Sequence, residues 1–69
     1  MAYLVVIEKA GDGFSAYVPD LPGCIATGET REKARQMIAS AIEMHLEGMR
    51  ADGLPIPEAS ASAEVVEVA

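Results

Sequence analysis

The sequence predicts a small α+β domain whose elements follow one another in the order β-β-β-α-β. Residues 3–9 and 14–18 are short apolar runs separated by a glycine-rich turn, which is typical of a β-hairpin. Apolar residues then recur at helical spacing between residues 31 and 52. At 69 residues the chain has the length of one domain, so we expect a single domain over residues 1–69.

Turn and capping residues set the bounds of the remaining elements. The turn Asp20-Leu21-Pro22-Gly23 separates the second strand from a short third strand at residues 24–27. Thr30 is the expected N-cap of the helix, and Gly53 is the glycine expected to end it in the left-handed conformation. Residues 64–68, which read EVVEV, are predicted to form the last strand.

The predicted sheet has four strands in the order 3-2-1-4, with the helix on one face. The first three strands form an antiparallel meander, and the fourth follows a helical crossover, so it should lie parallel to the first. One helix covers only one face, whereas the first and last strands are apolar on both. We therefore expect Leu4, Val6, Val66 and Val68 to contact a second copy of the chain or another protein.

The charge of the chain points to a protein partner. A formal net charge of −6 disfavours binding to nucleic acid or to an anionic membrane, because both require basic residues. It favours a basic protein partner, although an acidic surface that only maintains solubility fits equally well. There is no export signal and no membrane-spanning run, and the only cysteine is unpaired, so we expect a cytoplasmic protein.

No pattern in the sequence predicts catalysis. Cys24 and His45 lack a third residue to orient the histidine, and we interpret both as structural. The strand order is similar to part of an RNase H-type sheet, whose nuclease activity needs carboxylates that converge on a metal ion. Carboxylates such as Glu8, Glu43 and Glu64 form no such cluster in the sequence, so a solvated acidic surface is the better interpretation. We predict no catalytic residue, cofactor or metal site, and a metal-dependent nuclease is the less favoured alternative.

One run of residues resembles a known family. FSAYVPDLPGC at 14–24, ATGET at 26–30 and GLPIP at 53–57 are similar to the HicB family of antitoxins over almost the whole chain. The resemblance implies a partial RNase H-like domain without nuclease carboxylates, which forms dimers or tetramers. It also implies binding to HicA, a small basic toxin that cleaves mRNA. Many members carry a further DNA-binding domain, for which no residues follow Ala69, so we expect no direct contact with DNA.

The resemblance therefore predicts a non-enzymatic antitoxin of a type II toxin-antitoxin system, which neutralises a HicA-like toxin by protein contact. The acidic residues Asp20, Glu43 and Glu47 are the candidate contacts with that toxin. Each has a structural alternative, since Asp20 also suits a turn and the two glutamates also suit a solvated helix surface. The alternative function is a self-assembling structural or regulatory domain that has no toxin partner.

Overall fold

The structure, a computed structural model, describes residues 1–69 and contains three strands and one helix. Strands β1 (Val6–Ala10), β2 (Gly13–Tyr17) and β3 (Ile25–Gly28) form one antiparallel sheet in the order β1-β2-β3. Helix α1 (Arg31–Ala51) follows β3 and packs on the sheet. The α+β class and the antiparallel meander predicted from the sequence are confirmed.

Strands β1 and β2 form a tight hairpin. Their register pairs Val6 with Tyr17 and Ala10 with Gly13, so only Gly11 and Asp12 lie in the turn. Gly11 has a φ of +57°, which suits glycine at the first central position of a two-residue hairpin turn. The ladder begins at Val6 rather than at Tyr3, so the first strand is shorter than the sequence predicts.

Both ends of helix α1 carry the capping groups that the sequence predicts. The Thr30 side chain accepts a hydrogen bond of 3.0 Å from the backbone N–H of Lys33. At the other end Gly53 has a φ of +69°, and its N–H donates to the Arg50 carbonyl. The N–H of Leu54 donates to the Met49 carbonyl, which completes a Schellman motif. Because of these local bonds, the helix begins and ends within one residue of the bounds predicted from the sequence.

The core lies between the inner face of the sheet and the helix. Ala16 lies on the inner face of β2, and Ile38 and Leu46 are buried on the facing side of α1. The helix approaches β3 so closely that a Cβ at Gly28 would lie 2.5 Å from the backbone nitrogen of Ala34. Only glycine fits at this contact, so Gly28 sets the distance between helix and sheet. The other buried residues, all apolar, are Val18, Leu21, Cys24 and Ala34.

The predicted fourth strand is absent, and the predicted sheet order 3-2-1-4 is therefore wrong. Residues 64–68 have no regular secondary structure, and β1 pairs only with β2. A short valine-rich segment becomes a strand only where a neighbouring edge completes its backbone hydrogen bonds, and here the chain does not run along β1. Without the parallel strand, the partial RNase H-like sheet stays a prediction.

Candidate functional site

A groove of about 650 Å³ lies between the second half of helix α1 and the N-terminal segment. Ile42 and Leu46 of the helix, together with Tyr3 and Met1, give it an apolar lining. The Tyr3 hydroxyl donates a hydrogen bond to the Pro57 carbonyl, which holds the N-terminal wall beside the segment that follows the helix. The N-terminal wall of the groove is therefore positioned by a contact with the residues that follow the helix.

Two carboxylates border this groove because of the helical repeat. Glu43 and Glu47 are four residues apart and so lie on one side of the helix, next to the stripe that contains Ile42 and Leu46. Both glutamates are exposed to solvent. Arg50 is the only basic residue among those that line the groove. The groove thus combines an apolar floor with an acidic border.

Charge is unevenly distributed along the chain, and the groove lies in the acidic half. Residues 36–69 contain six acidic residues and one basic residue, so they carry a formal charge of −5 out of the total of −6. Two of the remaining cations are held at the Phe14 ring, with Lys9 Nζ 5.4 Å and Arg31 Cζ 5.2 Å from its centroid. These distances allow cation–π attraction. The positive charge is concentrated around β1 and the start of α1, away from the groove.

The candidate contact Asp20 lies elsewhere and has a role inside the chain. Its carboxylate accepts hydrogen bonds from the backbone N–H groups of Ser60 and Ala61, at 2.9 and 3.0 Å, and from the Ser60 hydroxyl at 2.9 Å. The bonds from the Ala61 and Ser60 backbone, helped by the Ser60 hydroxyl, lower the pKa of Asp20 below its usual 3.8. Asp20 thus fastens the C-terminal segment to the connection between β2 and β3. Sequence reasoning missed this bond, since the partners are 40 residues apart and follow no pattern.

The four candidate interface residues are not brought together. Leu4 and Val6 are partly buried near the start of β1, whereas Val66 and Val68 are 74 % and 88 % exposed. No backbone ladder joins the two pairs. The predicted contact between these residues and another chain remains a prediction.

The side chains that could act as a nucleophile, a base or a metal ligand are not arranged for these roles. Cys24 and His45 line one small pocket of about 310 Å³. Burial raises the pKa of the Cys24 thiol, which keeps the thiol protonated at neutral pH, whereas a nucleophilic cysteine is a thiolate. No three His, Cys, Asp or Glu side chains are placed to hold a metal ion. Helix α1 also lacks the long apolar stretch that a membrane span requires.

Comparison with known proteins gives a consistent family. The sequence profile of the family described as HicB_like antitoxin of bacterial toxin-antitoxin system matches residues 3–68. The chain also superposes on a chain of the solved HicA3 and HicB3 toxin-antitoxin complex with a TM-score of 0.74 and 30% identity. That match covers 87% of this chain and 70% of the other.

Relatives occur in a phage, a bacterium and an archaeon. The chain is 40% identical to a 14.9 kDa protein of the rep-hol intergenic region of Haemophilus phage HP1, over 87% of this chain and 45% of the phage protein. It is 42% identical to a UPF0150 protein of Synechocystis, over 81% and 72% of the two chains. It is 37% identical to a UPF0150 protein of Thermoplasma acidophilum, over 88% and 90%. The chain therefore spans less than half of the phage relative and most of the other two.

Proposed function

Because this chain belongs to the HicB-like antitoxins of bacterial toxin-antitoxin systems, we propose that it neutralises a HicA-like, mRNA-cleaving toxin by binding it directly. The proposed contact is between proteins, without nucleic acid, since a chain of net charge −6 repels phosphates. The proposed setting is the cytoplasm, where mRNA is available to such a toxin.

The observation that carries this proposal is the acidic border of the groove. A toxin that cleaves RNA needs a basic surface to hold the phosphates of its substrate. Glu43 and Glu47 present two solvent-exposed carboxylates to such a surface, within the half of the chain that carries a charge of −5. Complementary charge of this kind speeds encounter and disfavours partners of the wrong sign. An antitoxin bound there competes with RNA for the same basic side chains.

The apolar lining supplies the affinity that charge alone does not. Ile42 and Leu46 form the floor of the groove, and Met1, which is 82% exposed, lies at its wall. Binding energy in protein interfaces concentrates in a few side chains that become fully desolvated, while charged residues at the rim add mainly rate and specificity. We propose that an apolar side chain of the toxin enters the groove while its basic residues meet the two glutamates.

The proposed function is tested by inhibition of RNA cleavage. The assay uses a HicA-like toxin, sought first in the reading frame beside the gene for this chain, and measures its cleavage of RNA with increasing amounts of the purified chain. We expect complete inhibition near equimolar amounts. The double variant Glu43→Gln/Glu47→Gln should need on the order of tenfold more protein, because it removes two charges from the interface.

Glu32→Gln is the matched control, since it removes one exposed carboxylate from the first turn of the same helix, outside the groove. This variant should inhibit as the wild type does. If the wild type forms no complex and gives no inhibition, the antitoxin role toward this toxin is wrong. If the double variant inhibits as well as Glu32→Gln and the wild type do, the toxin binds at another surface.

A further inference from the structure

Two of the four methionines of the chain line the groove, and both are exposed to solvent. Met1 lies at the wall of the groove and Met44 on its helix side, with exposed fractions of 82% and 72%. Met44 also lines the small pocket of Cys24 and His45, so it belongs to both depressions. A thioether is apolar and flexible, which suits it to irregular protein contacts. The groove therefore presents accessible sulfur atoms to solvent.

The cysteine, which often reacts first with a peroxide, is withdrawn from the surface. Cys24 is 4% exposed, and burial raises the pKa of its thiol. Peroxides react with the thiolate, whereas the sulfur of methionine needs no deprotonation and reacts wherever it is exposed. Met37, on the same helix but outside both depressions, is 46% exposed. Exposure therefore makes the methionines of the groove the first sulfur atoms that a peroxide meets.

Of the two methionines, Met44 has the position at which a chemical change matters more. It lies in the second half of helix α1, so its side chain stays beside the groove whatever group it carries. Met1 lies in a segment without regular secondary structure, and a polar group on its side chain can turn toward water. A polar group on Met44 would instead remain in the surface that a bound protein covers.

We propose that Met44 is a site of reversible oxidation by peroxides, and that its sulfoxide weakens binding of the toxin at the groove. The Sδ lone pair attacks one oxygen of hydrogen peroxide, the O–O bond breaks, and the other oxygen leaves as water. The sulfur loses two electrons and gains an S=O bond, which sulfoxide reductases reverse. The new oxygen is a hydrogen-bond acceptor that is costly to bury against an apolar side chain. This inference rests on the proposed function, since it requires toxin binding at the groove.

The test compares the inhibition of RNA cleavage by the full chain before and after treatment with hydrogen peroxide. Mass spectrometry should show a gain of one oxygen atom at Met44, while Cys24 stays reduced. About tenfold more of the oxidised chain should be needed for the same inhibition, because the sulfoxide loses hydrogen bonds to water in the complex. Treatment with a peptide methionine sulfoxide reductase should restore the original potency. Circular dichroism should show the same helix content throughout.

Two variants locate the sensitive sulfur, each compared with itself before and after treatment. Met44→Leu keeps an apolar side chain of similar volume but has no sulfur to oxidise, so peroxide should leave its potency unchanged. Met37→Leu is the matched control, because it removes an exposed methionine outside both depressions, and it should lose potency as the wild type does.

Three results would overturn the proposal while leaving the proposed function intact. A loss of potency that persists in Met44→Leu would place the sensitive sulfur elsewhere. Equal inhibition by the untreated chain and by the chain oxidised at Met44 would mean that the sulfoxide does not disturb the groove. Oxidation of Met37 ahead of Met44 would contradict the order of exposure. If the untreated chain gives no inhibition, the proposed function fails, and this proposal fails with it.

Discussion

The packed part of the chain, from β2 to helix α1, and the segment that follows Gly53 are held by different interactions. Every buried residue lies between Ala16 and Leu46, so the packed part is stabilised by apolar burial. The segment after Gly53 has no fully buried residue. Ile56 packs against the core while partly exposed, and hydrogen bonds to Asp20 and from Tyr3 fasten the segment. The contrast teaches that the last residues, unlike the packed part, add no buried side chain to the core.

The largest expected effect in the packed part comes from Ile38→Ala. Ile38 is 1% exposed and lies at the centre of the contact between helix and sheet. Its truncation leaves a cavity and should lower the free energy of unfolding by about 3 kcal/mol. Urea unfolding followed by circular dichroism measures this loss. A loss below about 1 kcal/mol would show that the helix does not pack on the sheet as described.

Gly28→Ala tests the closest contact of the packed part. The added Cβ would lie 2.5 Å from the Ala34 nitrogen and 2.8 Å from the Lys33 carbonyl carbon, both backbone atoms that cannot move aside alone. We expect a loss of about 2 kcal/mol in the free energy of unfolding, because helix and sheet must separate. Unchanged stability in urea unfolding would mean that the helix lies farther from β3.

Gly48→Ala is the matched glycine substitution, and we expect it to change the free energy of unfolding in the opposite direction. Gly48 lies inside helix α1, and a Cβ there would meet no atom within 4 Å. Alanine should raise the free energy of unfolding by up to about 1 kcal/mol, since glycine is a poor helix former. The same urea titration measures the gain. Destabilisation by this substitution would contradict the open surface at Gly48.

Substitution or protonation of Asp20 should affect only the C-terminal segment. Asp20→Ala removes the acceptors for Ser60 and Ala61, so their N–H groups should exchange with solvent faster while those of α1 stay protected. Folding lowers the pKa of Asp20. Its contribution to holding the C-terminal segment is therefore fully present above the usual pKa of 3.8, and it is lost as the pH falls through the lower pKa of the folded state. Hydrogen exchange across the acidic range measures both effects. Equal exchange in the wild type and in Asp20→Ala would contradict the contact.

The same contrast explains which features the sequence predicts. The Thr30 cap, the Gly53 stop and the existence of a hairpin between residues 9 and 14 are decided by bonds within a few residues, and local pattern finds them. The prediction of a fourth strand is wrong because strand formation at residues 64–68 depends on the edge of a strand that is distant in the sequence. The contact with Asp20 directs the chain away from that edge. A valine-rich pattern gives the propensity of a strand but not its partner.

The sequence predicts the two glutamates of the groove but not the groove itself, for the same reason. The spacing of Glu43 and Glu47 places both on one side of a helix, which the sequence shows. The wall formed by Met1 and Tyr3 depends on how the N-terminal segment crosses that helix, and no local pattern encodes it. The one available signal is the Tyr3 hydroxyl, since a partly buried tyrosine usually finds a hydrogen-bond partner.

The dissociation constant of the toxin complex as a function of salt concentration, measured by calorimetry, tests the central claim most directly. Toxin binding through the acidic groove predicts that affinity falls as salt is added, and that Glu43→Gln/Glu47→Gln binds more weakly with a shallower salt dependence. Glu32→Gln should follow the wild type. An affinity that is insensitive to salt, or equal in the double variant and the wild type, would contradict the claim that the groove receives the toxin.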